Sequence, residues 1–247
     1  MSNPSAESME TLAEALARVR DRIARAVERA GRRGEDVTLV AVTKTVPVER
    51  IREAIAFGQR DFGENRVQEA AVKYKEIAED VRWHFVGRLQ RNKVRRLVEF
   101  ASVVHSVDRL ELAEELSKRA TVPIQLLVEV NTSGEPTKGG LEPGELPGFI
   151  ERAAGLPRVG LTGLMTMAPR VSDPEEARPH FRMLAALLEE MRERFPSLPL
   201  AHLSMGMSQD YEVAVEEGAT MVRVGEAIFG PRPLPDATEP SRQGAEV

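Results

Sequence analysis

Residues 39–51 read LVAVTKTVPVERI, an apolar run that ends at a lysine and is followed by a helix-like segment. The run is rich in β-branched residues, which favours a buried strand. Because side chains alternate across a strand, Thr38, Val40, Val42 and Lys44 share one face. The stretch therefore predicts one strand–helix unit that carries an ammonium group at the carboxyl end of its strand.

The same alternation continues along the whole chain, where short strand-like runs are each followed by a longer amphipathic segment. Eight strands are predicted, at residues 37–44, 61–65, 83–87, 102–108, 123–131, 159–167, 202–206 and 221–225. Strands that alternate with helices indicate a parallel sheet covered by helices, and eight such units favour a closed (β/α)8 TIM barrel. An open, doubly wound sheet is the alternative.

An extra helix is predicted ahead of the first strand. Apolar residues recur there at helical spacing, namely Leu12, Leu16, Val19, Ile23 and Val27. Gly31 is a suitable end for this helix. No change of composition marks a second domain, so we expect one barrel domain over residues 10–232. Residues 1–9 and the polar residues 233–247 are predicted to be flexible ends.

The composition is that of a globular protein and excludes several classes of function. The net charge of −5 argues against a general binder of nucleic acid or of membrane surfaces. The chain has no cysteine, which excludes disulfides, thiolate catalysis and cysteine-ligated metals. The first residues lack the features of a signal peptide, and no apolar run approaches ~20 residues, so we expect a cytoplasmic protein.

The carboxyl ends of barrel strands are where active sites lie. The candidate residues at these ends are Lys44, Asn65, His84, His105, Asn131, Met165, Met167, Ser204 and Arg223. A lysine held over an apolar barrel loses hydration, which favours the neutral amine that can attack a carbonyl group and form a Schiff base. The alternative is a lysine that simply extends to water at a strand end.

A second cluster follows the last two strands, where barrels often bind phosphate. The segment SMGMSQD places Ser204, Gly206 and Ser208 ahead of a helix, and RVGEAIFG places Gly225 where the backbone could approach an anion. A capped helix and a tight turn are the alternative. A lysine for an aldehyde and a phosphate site together describe pyridoxal phosphate (PLP).

Six motifs carry a resemblance to a known family: VAVTKT, FGENRVQE, WHFVGRLQRNK, GLMTM, HLSMGMSQDYEVAVEEGAT and VRVGEAIFG. Over residues 10–232 the chain resembles the pyridoxal phosphate homeostasis proteins, also called proline synthetase co-transcribed homologues. That family is similar to the N-terminal barrel of alanine racemase and to eukaryotic ornithine decarboxylase. The resemblance implies a single barrel of the fold-type III PLP proteins.

The resemblance also implies roles for individual residues. Lys44 would hold the cofactor as an internal aldimine, Arg223 would face the pyridine nitrogen, and Asn65 would lie near the ring. The phosphate would be bound by Ser204, Ser208 and main-chain groups near Met207, Gly225 and Glu226.

Other readings of these and neighbouring residues remain open. Asn65 could cap a helix with Gln68 as its partner, and His84 and His202 could be structural. The histidine spacing predicts no metal site. The basic segment Arg88–Arg96 could be a solvated helix face or a contact surface for an anion or a protein.

Two features argue against an amino-acid enzyme. An arginine at the pyridine nitrogen disfavours ring protonation, which weakens the ring as an electron sink. A racemase also needs a second base, and the chain has only two tyrosines, Tyr74 and Tyr211, and no residues left for a second domain. We therefore expect a monomeric carrier and regulator of PLP, with apo PLP-enzymes as candidate recipients. A PLP-dependent racemase or decarboxylase, or an aldolase acting on a sugar phosphate through Lys44, are the alternatives.

Overall fold

A computed structural model describes residues 10–32, 37–135 and 137–231. The segments predicted to be flexible, 1–9 and 233–247, lie outside the described residues. Eight parallel strands form a closed barrel in sequence order: β1 Thr38–Val42, β2 Asp61–Glu64, β3 Arg82–Phe85, β4 Ala101–Val107, β5 Ile124–Glu129, β6 Val159–Met165, β7 His202–Ser204 and β8 Met221–Val224. β8 pairs with β1, with Val40 opposite Arg223, so the open-sheet alternative is wrong and the TIM barrel is confirmed.

Helices alternate with the strands and cover the barrel. They are α1 Leu12–Arg29, α2 Val48–Ala56, α3 Val67–Glu76, α4 Val94–Leu97, α5 Leu110–Arg119, α6 Leu146–Ala153, α7 Arg178–Arg194, α8 Tyr211–Glu216 and α9 Glu226–Phe229. Three short 3-10 helices occur at Arg91–Lys93, Pro143–Glu145 and Pro174–Ala177. Within the described residues, none of the helices combines the length and the apolar character needed to cross a membrane.

The extra N-terminal helix α1 is confirmed and packs against α8 and α9. Thr11 caps its start, since the Thr11 hydroxyl accepts the N–H of Glu14 and the Glu14 carboxylate accepts the N–H of Thr11. Its apolar face is buried as predicted. The helix ends before Gly31, whose φ of 65° is the left-handed conformation that favours glycine at this position.

Strand alternation places two different sets of side chains on the two faces of the barrel wall. Outward residues such as Phe62 and Trp83 pack against each other beneath the helices. Inward residues such as Val103, Leu127 and Met165 form a separate buried cluster inside the barrel. The structure agrees with the inward face predicted for β1. Val40 packs inside the barrel opposite Gly63, and Val42 and Lys44 line the cavity above Val40.

Candidate functional site

A cavity of about 890 Å³ opens at the carboxyl ends of the strands. Seven of the eight residues predicted for the site line it: Lys44, Asn65, Met207, Ser208, Arg223, Gly225 and Glu226. The eighth, Ser204, does not. The volume lies within the range of small-molecule and cofactor sites. The structure thus brings most of the predicted residues together on one surface.

Lys44 lies in a turn immediately after β1, which ends two residues earlier than the predicted strand. The next residue, Thr45, has a φ of 64°, a left-handed conformation that is uncommon for a β-branched residue. The Glu69 carboxylate accepts the N–H of Thr45 at 2.6 Å and so holds the turn from α3. Such backbone strain persists only where the surrounding structure enforces it, and it concentrates at functional sites.

A buried ion cluster supports this turn and was not anticipated from the sequence. The Lys73 Nζ donates at 2.6 Å to the Thr43 carbonyl, to Glu64 and to Glu69. Lys73 is only 6% exposed and Glu64 is fully buried. Burial raises the pKa of the Glu64 carboxyl, and the charge of Lys73 opposes that rise. These four residues, called here the Lys73 cluster, connect β1, β2 and α3 directly beneath Lys44.

The loops after β7 and β8 bring several hydrogen-bond donors to one point. The Ser208 hydroxyl accepts the N–H groups of Gly225 and Ala227, each at 3.3 Å. The Asp210 carboxylate accepts the N–H of Met207 at 2.6 Å and fixes the loop that carries Ser208. Because the Ser208 oxygen accepts these two N–H groups, its O–H can donate at the wall of the cavity, which suits a phosphate oxygen.

Arg223 presents a buried cation to the cavity. Its side chain is 5% exposed, and it donates to the Ser204 hydroxyl at 2.6 Å and to the Thr166 carbonyl at 2.9 Å. Burial lowers the pKa of the Arg223 guanidinium to about 10, against the opposing charges of Asp210 and Glu129. Arg223 therefore remains a cation at neutral pH and can act towards a ligand only as a donor.

Ser204 occupies a different place from the one expected. It is fully buried as the last residue of β7, one layer below the cavity, and its hydroxyl lies between Arg223 and His105. The expected contact between Ser204 and a phosphate stays a prediction, since in this structure the Ser204 hydroxyl bonds to Arg223 and His105. The strand direction turns this side chain into the barrel interior, whereas Ser208, in the loop beyond, reaches the cavity.

Asn65 lines the cavity and is not a helix cap. The N-cap residue of α3 is Arg66, which makes no side-chain capping bond, so the proposed pairing with Gln68 is wrong. The Asn65 Oδ1 is buried, and no hydrogen-bond partner for it occurs in the part of the chain that the structure describes. An unpaired buried carbonyl oxygen is costly unless a ligand satisfies it, which agrees with a place beside a bound molecule.

Glu129 is a cavity residue that the sequence did not single out. It ends β5 and lines the cavity with Asp108 and Arg88. Burial raises the pKa of the Glu129 carboxyl to about 7; the negative charge of Asp108 adds to the rise, and Arg223 and Arg88 oppose it. Glu129 therefore gives the cavity a carboxyl whose pKa lies near neutral pH, which the sequence did not indicate.

The histidines and the basic segment have mainly structural surroundings. His84 and His105 are buried inside the barrel, and His202 lies beside Thr220. No group of three or more metal-ligating side chains occurs among the residues described. In the segment Arg88–Arg96, Arg88 reaches the cavity, while Arg91 pairs with Glu115 at 3.5 Å on the outer surface.

Residues 15–233 match the family model described as the alanine racemase N-terminal domain. The chain is 48% identical over 223 residues to a pyridoxal phosphate homeostasis protein from Aquifex aeolicus, covering 89% of this chain and 97% of that protein. The chain belongs to the pyridoxal phosphate homeostasis protein family.

One solved structure shares the fold of this chain over its whole length. It is PipY from Synechococcus elongatus PCC7942, whose structure was determined with PLP bound. The two chains are 38% identical with a TM-score of 0.79, and the match covers 89% of this chain and all of PipY.

The family fold extends to enzymes of low sequence identity. Alanine racemase from Corynebacterium glutamicum matches with a TM-score of 0.65 and 19% identity, over 87% of this chain and 63% of the racemase. At this identity the likeness shows the fold alone. Membership in the homeostasis protein family therefore does not by itself decide whether the chain turns over a substrate.

Proposed function

We propose that this chain binds PLP in the cavity, with a covalent bond between the Lys44 Nζ and the aldehyde carbon, and serves intracellular PLP homeostasis. The observation that carries the proposal is the common wall on which Lys44, Arg223 and the Ser208 donors lie. The names of its relatives and the PLP-bound PipY structure support it. We propose that residues 10–232 form the one cofactor-binding domain, and that the protein acts as a cytoplasmic monomer.

The residues present fit the cofactor, and each has a distinct task. When bound, PLP supplies an aldehyde that condenses with primary amines and a pyridine ring that withdraws electrons. Lys44 provides the amine. Ser208, whose oxygen is fixed by the N–H groups of Gly225 and Ala227, would hold the phosphate together with main-chain groups near Met207, Gly225 and Glu226. Asn65 would contact the ring through its unpaired oxygen.

Arg223 determines how reactive the bound ring can be. A buried donor facing the pyridine nitrogen would disfavour a proton on that nitrogen and would so limit the withdrawal of electrons from an attached carbon. Neither tyrosine of the chain lines the cavity, since Tyr74 lies exposed on α3 and Tyr211 is buried in α8. Both features support a carrier without robust amino-acid turnover, which passes PLP to apo PLP-enzymes.

One observation favours a second candidate function, a PLP-dependent racemase or decarboxylase. Glu129 offers the cavity a carboxyl with a pKa of about 7. A well-placed general base typically contributes 10²–10⁴-fold to a rate, so this residue could support turnover if it reaches the reacting carbon.

Exchange of the α-hydrogen of amino acids in deuterated water, followed by NMR, separates the two functions. The PLP-loaded protein is compared with free PLP and with the Glu129→Gln variant for L-alanine and a panel of other L-amino acids. The carrier predicts exchange at the background rate of free PLP, together with transfer of PLP to an added apo-enzyme. Exchange at ~1–10³ per second, lost in Glu129→Gln, would instead establish an enzyme.

A further inference from the structure

A continuous chain of hydrogen bonds connects Arg223 to the opposite end of the barrel. The Arg223 guanidinium donates to the Ser204 hydroxyl at 2.6 Å, and the Ser204 Oγ lies 2.7 Å from the His105 Nδ1. The His105 Nε2 lies 2.9 Å from the His84 Nδ1, and the His84 Nε2 lies 2.9 Å from the Asp61 carboxylate. Five side chains from β2, β3, β4, β7 and β8 thus form one connected row.

This row crosses a region that barrels usually fill with aliphatic side chains. Ser204 and His105 are fully buried and His84 is 1% exposed, whereas the Asp61 side chain, at the amino end of β2, is 20% exposed. Polar groups in such an interior are costly unless each one is paired. The complete pairing of this row therefore indicates a function beyond filling space.

The chemistry of the Asp61 end fixes the direction of every bond. An ionised carboxylate only accepts, so the His84 Nε2 carries the proton and, in a neutral ring, the His84 Nδ1 accepts. The His105 Nε2 must then donate, which leaves its Nδ1 to accept the Ser204 hydroxyl proton. The Ser204 oxygen keeps its lone pairs for Arg223, which can only donate.

Protonation of either ring would reverse part of the row. A charged His84 would donate to His105, whose Nδ1 would then donate to Ser204 and leave the Ser204 hydroxyl proton without its acceptor. Burial lowers the pKa of His84 despite the opposing effect of Asp61, with a small contribution from Arg82. Burial, together with the charges of His84, Arg223 and His202, lowers the pKa of His105 well below its ordinary value. Both lowered pKa values favour neutral rings, which the assigned direction of the hydrogen bonds requires.

We infer that Ser204, His105, His84 and Asp61 are positioning residues that hold Arg223 in one orientation through a one-directional hydrogen-bond relay. Two N–H groups of Arg223 are held by Ser204 and the Thr166 carbonyl, and the remainder of the guanidinium faces the cavity. The consequence for a ligand rests on the proposed role of Arg223 at the pyridine nitrogen. The relay itself is a property of the protein without cofactor.

The first test uses the cofactor-free protein and the nitrogen-15 NMR signals of its histidine rings. The chain has four histidines, and variants of His180 and His202 assign the other two by elimination. The relay predicts that His84 and His105 are both neutral at pH 8, with the proton on Nε2, and that each ring titrates below the ordinary histidine pKa. A proton on the Nδ1 of either ring, or titration of either ring near its ordinary pKa, would overturn the assigned direction.

The second test separates positioning of Arg223 from binding of the phosphate. Affinities for PLP and for pyridoxal, which lacks the phosphate, are measured for Ser204→Ala and for its matched control Ser208→Ala. The relay predicts that Ser204→Ala weakens both ligands by the same factor, on the order of ten-fold, whereas Ser208→Ala weakens only PLP.

Each contrary outcome has a distinct meaning. Loss of PLP affinity alone in Ser204→Ala would make Ser204 a phosphate residue, and unchanged affinity for both ligands would remove the positioning role. If wild type binds neither ligand while the ring tautomers are as predicted, the proposed function fails and the relay remains. If Ser204→Ala does not fold, the NMR measurement on wild type still decides the direction of the relay.

Discussion

Replacement of Lys73 by methionine tests whether the Lys73 cluster holds the turn that carries Lys44. Methionine keeps most of the length and the apolar stem of the side chain but removes the ammonium group. Three hydrogen bonds of 2.6 Å are lost at once, to the Thr43 carbonyl, Glu64 and Glu69. Glu64, fully buried, then loses its only cationic partner in the described structure.

The structure sets the expected size of the effect. Removing one partner of a buried ion pair costs about 3–5 kcal/mol, because an uncompensated charge remains inside. For a domain of this size that corresponds to a fall in Tm of roughly 6–20 °C. The substitution also removes the ammonium group that fixes the Glu69 carboxylate, which in turn holds the turn at Thr45. Because small displacements of a reacting group are costly, the rate of covalent capture of PLP by Lys44 should fall at least about ten-fold.

Thermal unfolding and stopped-flow absorbance measure the two effects separately. Lys75→Met, an exposed position on the same helix, is the matched control and should change neither. The double variant Glu64→Gln/Lys73→Met should regain part of the stability, because the buried charge is gone, but should capture PLP no faster. A Lys73→Met protein as stable and as reactive as Lys75→Met would refute the role assigned to the cluster.

Three other substitutions have expected outcomes. Glu129→Gln should be more stable than wild type by about 3 kcal/mol at pH 8 and equal to it below pH 4.5. The pKa of Glu129 is raised from 4.5 to about 7 on folding, so the stability that the protonated carboxyl gives wild type is lost as the pH rises through 7. Denaturant titrations at several pH values measure this difference in stability. Asn65→Ala should leave the stability of the cofactor-free protein unchanged or raised, since it removes an unpaired oxygen, yet weaken PLP retention about ten-fold in equilibrium dialysis. Gly206→Ala should lower the free energy of unfolding by at least ~2 kcal/mol, measured by thermal unfolding. The φ of Gly206 is 91°, and the new Cβ would lie 2.6 Å from the Ala214 Cβ. Gly160→Ala is the control and should be tolerated more easily, because no atom lies within 4 Å of its new Cβ.

The strand–helix alternation was enough to predict the barrel, because each strand carries its own apolar signal. The period of two along β1 also placed Val42 and Lys44 on the cavity face, since alternation is a local property of an extended chain. Ser208, Gly225 and Arg223 could be placed near one another because the strand order of a closed barrel brings β7, β8 and β1 side by side.

What the sequence could not supply depends on contacts between distant segments. Glu69 and Lys73 form an ordinary i,i+4 pair in the sequence, and only the packing of α3 on β2 shows that the pair is buried against Glu64. The raised pKa of Glu129 arises from burial and from Asp108, which directly follows another strand, β4. The burial of Ser204 could not be predicted, because the end of β7 decides whether a side chain faces the cavity or the barrel interior, and no local signal fixes that end.

Borohydride reduction of the PLP-loaded protein, followed by peptide mass mapping, tests directly whether Lys44 holds the cofactor. Reduction converts a covalent bond between the cofactor and a lysine into a stable one, so the modified peptide identifies the lysine. We expect the pyridoxyl group on Lys44, and we expect it to be absent from a Lys44→Ala protein that remains folded. A pyridoxyl group on Lys93 or Lys138 of the wild-type protein, with Lys44 unmodified, would contradict the assignment of this cavity as the site of PLP.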